Sequence, residues 1–140
     1  MIVLDTSFVV ALLDEKDAGH RQAADWYQGE ATERFATTPL VLAEVDYMLQ
    51  SRSTPAVVKA FHDEIRAGSL GVEWWPKLDV RAAEIADRYA EIGLGLTDAS
   101  LVALAGALET NRIASFDERH LRAVEPLHGD GRFELLPADA

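Results

Sequence analysis

At 140 residues and 49% hydrophobic content, the chain fits a single domain over 1–140 with a substantial core. It has no cysteine, which excludes disulfides and thiolate metal sites and suits a reducing cytoplasm, and no stretch approaches the length of a membrane-spanning helix, so no membrane role is expected. Its formal charge of −11 argues against nonspecific coating of nucleic acid, since phosphate contacts are carried by Lys and Arg; any nucleic acid bound here needs a cation or a local basic patch.

Met1 leads directly into Ile2-Val3-Leu4, with no basic leader ahead of it, so no secretion signal is expected. That run does not alternate, which predicts a strand covered on both faces, as in a parallel α/β sheet. It stops at Asp5, Thr6 and Ser7, placing Asp5 at the carboxyl edge of the sheet, where such folds bind ligands. Phe8 to Leu13 reads as a first helix and His20 to Tyr27 as a second, ending near Gly29, with Trp26 and Tyr27 packed. Arg34 to Thr38 is a weak strand, and Pro39 opens the next helix. Along it Glu44 lies three residues after Val41 and four before Met48, a position predicted to face inward, where a carboxylate needs a cation or a wet cavity.

Pro55 begins a further helix, ended by Gly68. Leu70 to Trp75 alternates as a strand with Val72 and Trp74 on one face, and the Trp pair is expected in the core or an interface. Asp79 to Ile92 reads as a helix with Val80 and Ala83 at core spacing. After Gly93-Leu94-Gly95, Thr97 is the expected cap of a helix whose first turn turns Asp98 inward and whose later face is thin with alanine and glycine. Arg112 to Asp117 repeats the opening device, a short apolar run ending in an acid. A short helix then begins at Glu118, and Phe133 to Leu136 is a final edge strand.

Taken singly, each acid has a local explanation as a helix cap or a dipole partner. Taken together, Asp5, Glu44, Asp98 and Asp117 all fall at element ends or on inward stripes. Clustered carboxylates raise one another's pKa, and a divalent cation relieves that repulsion. Oxygen ligands without cysteine or paired histidine favour Mg²⁺ or Mn²⁺, ions that serve phosphate chemistry.

The segments Ile2-Val3-Leu4-Asp5-Thr6-Ser7, Leu42-Ala43-Glu44-Val45-Asp46-Tyr47, Gly95-Leu96-Thr97-Asp98-Ala99, Ala114-Ser115-Phe116-Asp117-Glu118-Arg119-His120 and Gly131-Arg132-Phe133 resemble, in order and spacing, the PIN-domain ribonucleases, and specifically the VapC toxins of bacterial toxin–antitoxin pairs. The resemblance covers nearly the whole chain. It implies an α/β/α sandwich with a central parallel sheet, and Asp5, Glu44, Asp98 and Asp117 as the acidic site. Asp5, Asp98 and Asp117 would hold Mg²⁺, for which Mn²⁺ can substitute, and Thr6 and Ser115 would support the carboxylates with their hydroxyls. The implied activity is hydrolysis of a phosphodiester in structured RNA, transfer or ribosomal, leaving a 5′-phosphate and a 3′-hydroxyl and inhibiting translation and growth. Arg119, His120 and Arg122 are candidate phosphate contacts. The implied partners are a VapB-type antitoxin, through which alone operator DNA is reached, and a second copy of the chain in a homodimer.

Competing readings remain at this point. A dehalogenase-like phosphatase wants a second Asp where Ser7 stands, and a receiver-like phosphoacceptor wants a paired acid and a late lysine. A metal-free ribonuclease would use His20 and His120 as acid and base. A non-catalytic interaction module would use the acids only as caps.

Overall fold

The unalternating run at the start forms β1 (Ile2–Leu4), whose three side chains are all fully buried. The structure is a computed structural model that describes residues 1–140. In chain order there follow α1 (Thr6–Leu13), α2 (His20–Gly29), β2 (Phe35–Ala36), α3 (Pro39–Arg52), α4 (Pro55–Ala67) and α5 (Leu78–Arg88). A 3₁₀ turn (Ala90–Ile92), α6 (Leu96–Ala107), β3 (Arg112–Ala114), α7 (Glu118–Leu121) and β4 (Glu134–Leu136) complete it. The strands form one parallel sheet in the order β2-β1-β3-β4, flanked by the helices as an α/β sandwich. Helix α6, buried from Ala99 to Ala105, packs on β1 and α5, and its small residues allow that close approach.

Register places the site. Leu4 pairs with Ala114 and Ala114 with Leu136, so the strands end level and the next residues, Asp5 and Ser115, stand side by side at the carboxyl edge. The opposite edge is held by Arg112, whose guanidinium reaches Glu33 at 2.5 Å and Glu134 at 3.3 Å. Thr38 and Thr54 cap α3 and α4, each accepting at 3.4 Å from the third helical amide, with proline at the first helical position of both.

The aromatic expectation for α2 holds. Trp26 meets Phe8 edge-on at 5.3 Å, and Tyr27 packs against Phe35 at 5.0 Å. Several local expectations are corrected. Helix α1 starts at Thr6, directly after Asp5, rather than at Phe8. The segment Leu70 to Trp75 forms no strand; only Val72 bridges to Thr37, beside β2. Gly71 takes φ +62° there, so close to Phe35 that a Cβ would lie 2.0 Å from its carbonyl oxygen. The two tryptophans beyond are 43% and 42% exposed, which sets aside the core and leaves the interface of the two places expected for the pair. In α5 the buried residues are Leu78, Ala82 and Ile85, while Val80 and Ala83 face outward, because packing on α6 sets the phase of the buried stripe. Helix α6 begins one residue before Thr97, with Gly95 at the cap position, so the threonine lies within the first turn and caps nothing.

Candidate active site

The carboxyl edge of the sheet carries Asp5, 3% exposed, in the extended residue between β1 and α1. Its backbone amide completes the β1–β3 ladder through the Ala114 carbonyl at 3.0 Å. Although it occupies the N-cap position, its side chain makes no capping bond to α1. The carboxylate is held instead from β3, where the Ser115 hydroxyl donates to Oδ2 at 2.7 Å.

Thr6 departs from the carboxylate support expected of its hydroxyl. Its hydroxyl is buried without a hydrogen-bond partner, and the second hydroxyl on Asp5 comes from Ser7, which donates to Oδ2 at 2.7 Å. The strand passes into the helix without a linker, so Thr6 is drawn into the core while Ser7 reaches the β3 edge. Sequence reasoning passed over Ser7; the available signal was a hydroxyl two residues beyond the acid, in the first turn of a helix that follows its strand directly. Burial pushes the Asp5 carboxyl above its usual range, with Glu44 adding to the rise, against the lowering effect of the Ser115 and Ser7 hydroxyls and the Thr6 amide.

Asp98 lies in the first turn of α6 with its side chain 23% exposed. Burial, then the charges of Asp5, Asp117 and Glu44, push its pKa up from 3.8 to about 6, opposed by His120. The His120 Nδ1 is 3.5 Å from Asp98 Oδ2, a close approach rather than a hydrogen bond, and that buried nitrogen has no other partner. Asp117 is exposed at the head of α7, also without a capping bond. Its segment is anchored through Phe116, whose ring stacks on Phe8 at 6.0 Å and whose amide donates to Ser7 Oγ at 3.0 Å.

Glu44 is corrected in placement. The buried line of α3 is Val41, Val45 and Leu49, and Glu44 is exposed beside it. Its position three residues from Val41 puts it at the margin of the apolar stripe rather than within it. It needs no cation partner for burial, yet its charge is felt at both Asp5 and Asp98, so it borders the same edge.

Of the candidate phosphate contacts, Arg119 is exposed and free of any ion pair, and His120 faces Asp98. Arg122 is engaged elsewhere: its guanidinium binds Asp139 at 2.6 and 2.8 Å and Glu118 at 3.2 Å, tying α7 to the segment after β4. His20 is likewise occupied, its Nδ1 lying 2.8 Å from the Ala11 carbonyl, which weakens the pairing of two histidines as acid and base.

A PIN-domain family model matches residues 2–126. The chain belongs to the PIN-domain family. It is similar to Ribonuclease VapC26 of Mycobacterium tuberculosis, 28% identical over 137 residues that span 97% of this chain and 100% of that protein. The crystal structure of VapC20 from the same organism, described as a sarcin–ricin loop cleaving toxin, superposes with a TM-score of 0.75 at 27% identity, covering 84% of this chain and 90% of that one. FitAcB from Neisseria gonorrhoeae shares the fold, with a TM-score of 0.57 at 16% identity over 84% of this chain and 88% of that one.

PIN-domain nucleases generally depend on a divalent metal, and the carboxylates at this edge are donors of the oxygen type that such an ion takes. No lysine or arginine pairs with Asp5, Glu44, Asp98 or Asp117, and His120 is the one titratable cation in contact with them. Burial and the neighbouring carboxylates that raise the Asp98 pKa are opposed within the protein by His120 alone. As they stand, no three of the ligating side chains converge into a coordination sphere. The edge presents carboxylate oxygens at different depths: Asp5 at the floor, Asp98 on the wall, and Asp117 and Glu44 at the open side.

Proposed function

We propose that the protein is a Mg²⁺-dependent endoribonuclease toxin of the VapC type, hydrolysing a phosphodiester in structured RNA. The observation that carries this reading is a PIN-domain edge where the charge of Asp5 helps to raise the Asp98 pKa while no lysine or arginine pairs with either. When bound, the divalent ion would supply water activation and charge neutralisation at the phosphate. Asp5 and Asp98 would hold the principal ion, and Asp117 would complete that site or a second one. Glu44, at the open side, orients the attacking water. Arg119 and His120, flanking the same edge, contact the RNA phosphates beside the scissile bond.

Because VapC20 is described as a toxin that cleaves the sarcin–ricin loop, a ribosomal RNA stem-loop is the first substrate to test, with transfer RNA the second. A VapB-type antitoxin would neutralise the toxin, the charge of −11 favouring a basic partner segment, and a homodimer belongs to the same reading. No helix is long and apolar enough to cross a membrane. The decisive experiment is capture and sequencing of 5′-phosphate RNA ends after brief induction, wild type against Asp98→Asn. New ends at one or a few structured sites, absent in the variant, are expected. The same ends in both strains would remove Asp98 from the chemistry and with it this reading.

A further inference from the structure

Two serines converge on one oxygen of Asp5. Ser7 Oγ and Ser115 Oγ each donate to Oδ2 at 2.7 Å, and their own oxygens lie 3.3 Å apart. A hydroxyl whose proton is committed can still accept, and both do so. The Phe116 amide donates to Ser7 Oγ at 3.0 Å, and the Asp117 amide donates to Ser115 Oγ at 3.0 Å. Two successive backbone amides of the loop bearing Asp117 thus reach the same carboxylate oxygen, each through one serine. Charge-assisted bonds of this length are strong and directional, so Oδ2 is occupied by the protein.

From this geometry we infer that Ser7 is a positioning residue for the metal site: it fixes the Asp5 carboxylate by committing Oδ2 to the protein, and ties the Asp117 segment to the first turn of α1. The inference rests on the reading of Asp5 as a metal ligand. A serine serving only its own helix would bond that helix's amides, and Ser7 makes no such bond. Its partners are Asp5, Ser115 and Phe116, two of them more than 100 positions away in sequence. The loop also has an independent anchor in the Phe116 ring stacked on Phe8, so loss of the Ser7 hydroxyl leaves the fold supported. Outer groups that orient metal ligands commonly set affinity by an order of magnitude or more.

The test is calorimetric titration of Mn²⁺ into wild type, Ser7→Ala, Ser7→Thr and Asp5→Asn. Ser7→Ala is expected to unfold cooperatively like wild type but to bind Mn²⁺ about tenfold more weakly, with Ser7→Thr restoring most of the loss because the hydroxyl returns. A folded Ser7→Ala with wild-type affinity overturns the inference while leaving Asp5 as a ligand. Wild-type affinity in Asp5→Asn overturns both the metal reading and the inference. Should Ser7→Ala fail to fold, hydrogen exchange of the Phe116 amide in metal-free wild type decides. Protection comparable to α1 supports the tie, and exchange at the open-chain rate refutes it.

Discussion

Replacing Asp98 by asparagine should make the metal-free protein more stable, which is the opposite of what most site substitutions do. The carboxyl has a folded pKa of about 6 against an ordinary 3.8, a gap equivalent to about 3 kcal/mol of penalty on the charged form. The sign follows from proton counting. Between these values the folded state binds more proton than the unfolded one, so wild-type stability falls as pH rises through the window and the full penalty stands above pH 6. Two corrections reduce the gain. The side chain is 23% exposed, so solvent relaxes part of the penalty, and a charge in the first turn of α6 contributes about 0.3–1 kcal/mol with the helix dipole that asparagine forfeits. The net expectation at pH 7.5 is about 1–2 kcal/mol in favour of the variant, or roughly 3–7 °C in Tm for a chain of this size. Urea and thermal melts in EDTA at pH 4.5, 6 and 7.5 measure it, with the difference shrinking toward the acid end. Adding Mn²⁺ should reverse the order by stabilising wild type alone. An Asp98→Asn protein less stable than wild type at pH 7.5 without metal would refute the reasoning, and would make the carboxylate a structural partner of His120 or of the helix.

Thr6→Val removes a buried hydroxyl with no partner and should hold or raise Tm, by up to about 1–3 kcal/mol of relieved desolvation, with Mn²⁺ affinity unchanged; weaker Mn²⁺ binding in calorimetry would return Thr6 to the site. Glu44→Gln, at an exposed position, should alter stability by less than about 0.5 kcal/mol in melts while RNA cleavage falls; a large loss of stability would argue for the inward placement. Arg122→Ala should lower Tm by unpinning α7 from Asp139 yet leave KM for RNA unchanged, whereas Arg119→Ala should raise KM, and the reverse pattern in cleavage kinetics would exchange their roles. Gly71→Ala must strain a left-handed backbone and displace the Phe35 carbonyl, so a loss of about 2 kcal/mol or more is expected by urea denaturation; a neutral result would mean that this edge is loosely held.

Much of the layout was legible in the sequence because it rests on short-range rules. An unalternating apolar run ending in an acid marks a buried parallel strand and its carboxyl edge, which is how β1 with Asp5 and β3 ahead of Asp117 were located. Proline at the first turn placed the starts of α3 and α4, and glycine past the last turn placed the end of α4, since those signals act on the local backbone. The order and spacing of the acidic segments pointed to the PIN-domain family for the same reason: the motifs are local.

What the sequence left open depends on how elements rotate and meet. Glu44 and Val80 sat at core spacing, yet the buried lines of α3 and α5 run beside them, because helical periodicity defines a stripe only once its phase against a neighbour is set. The alternation of Leu70 to Trp75 described a strand, but a strand exists only where a partner ladder continues, and β2 offers a single bridge. Arg122 read as a free cation until the chain beyond β4 returned Asp139 to it. The division of labour between Thr6 and Ser7 was invisible for the same reason. Both are hydroxyls after an acid, and which one reaches Asp5 is decided by the register that sets Ser115 and the Phe116 amide beside it, a contact across more than 100 residues that only the closed sheet brings together.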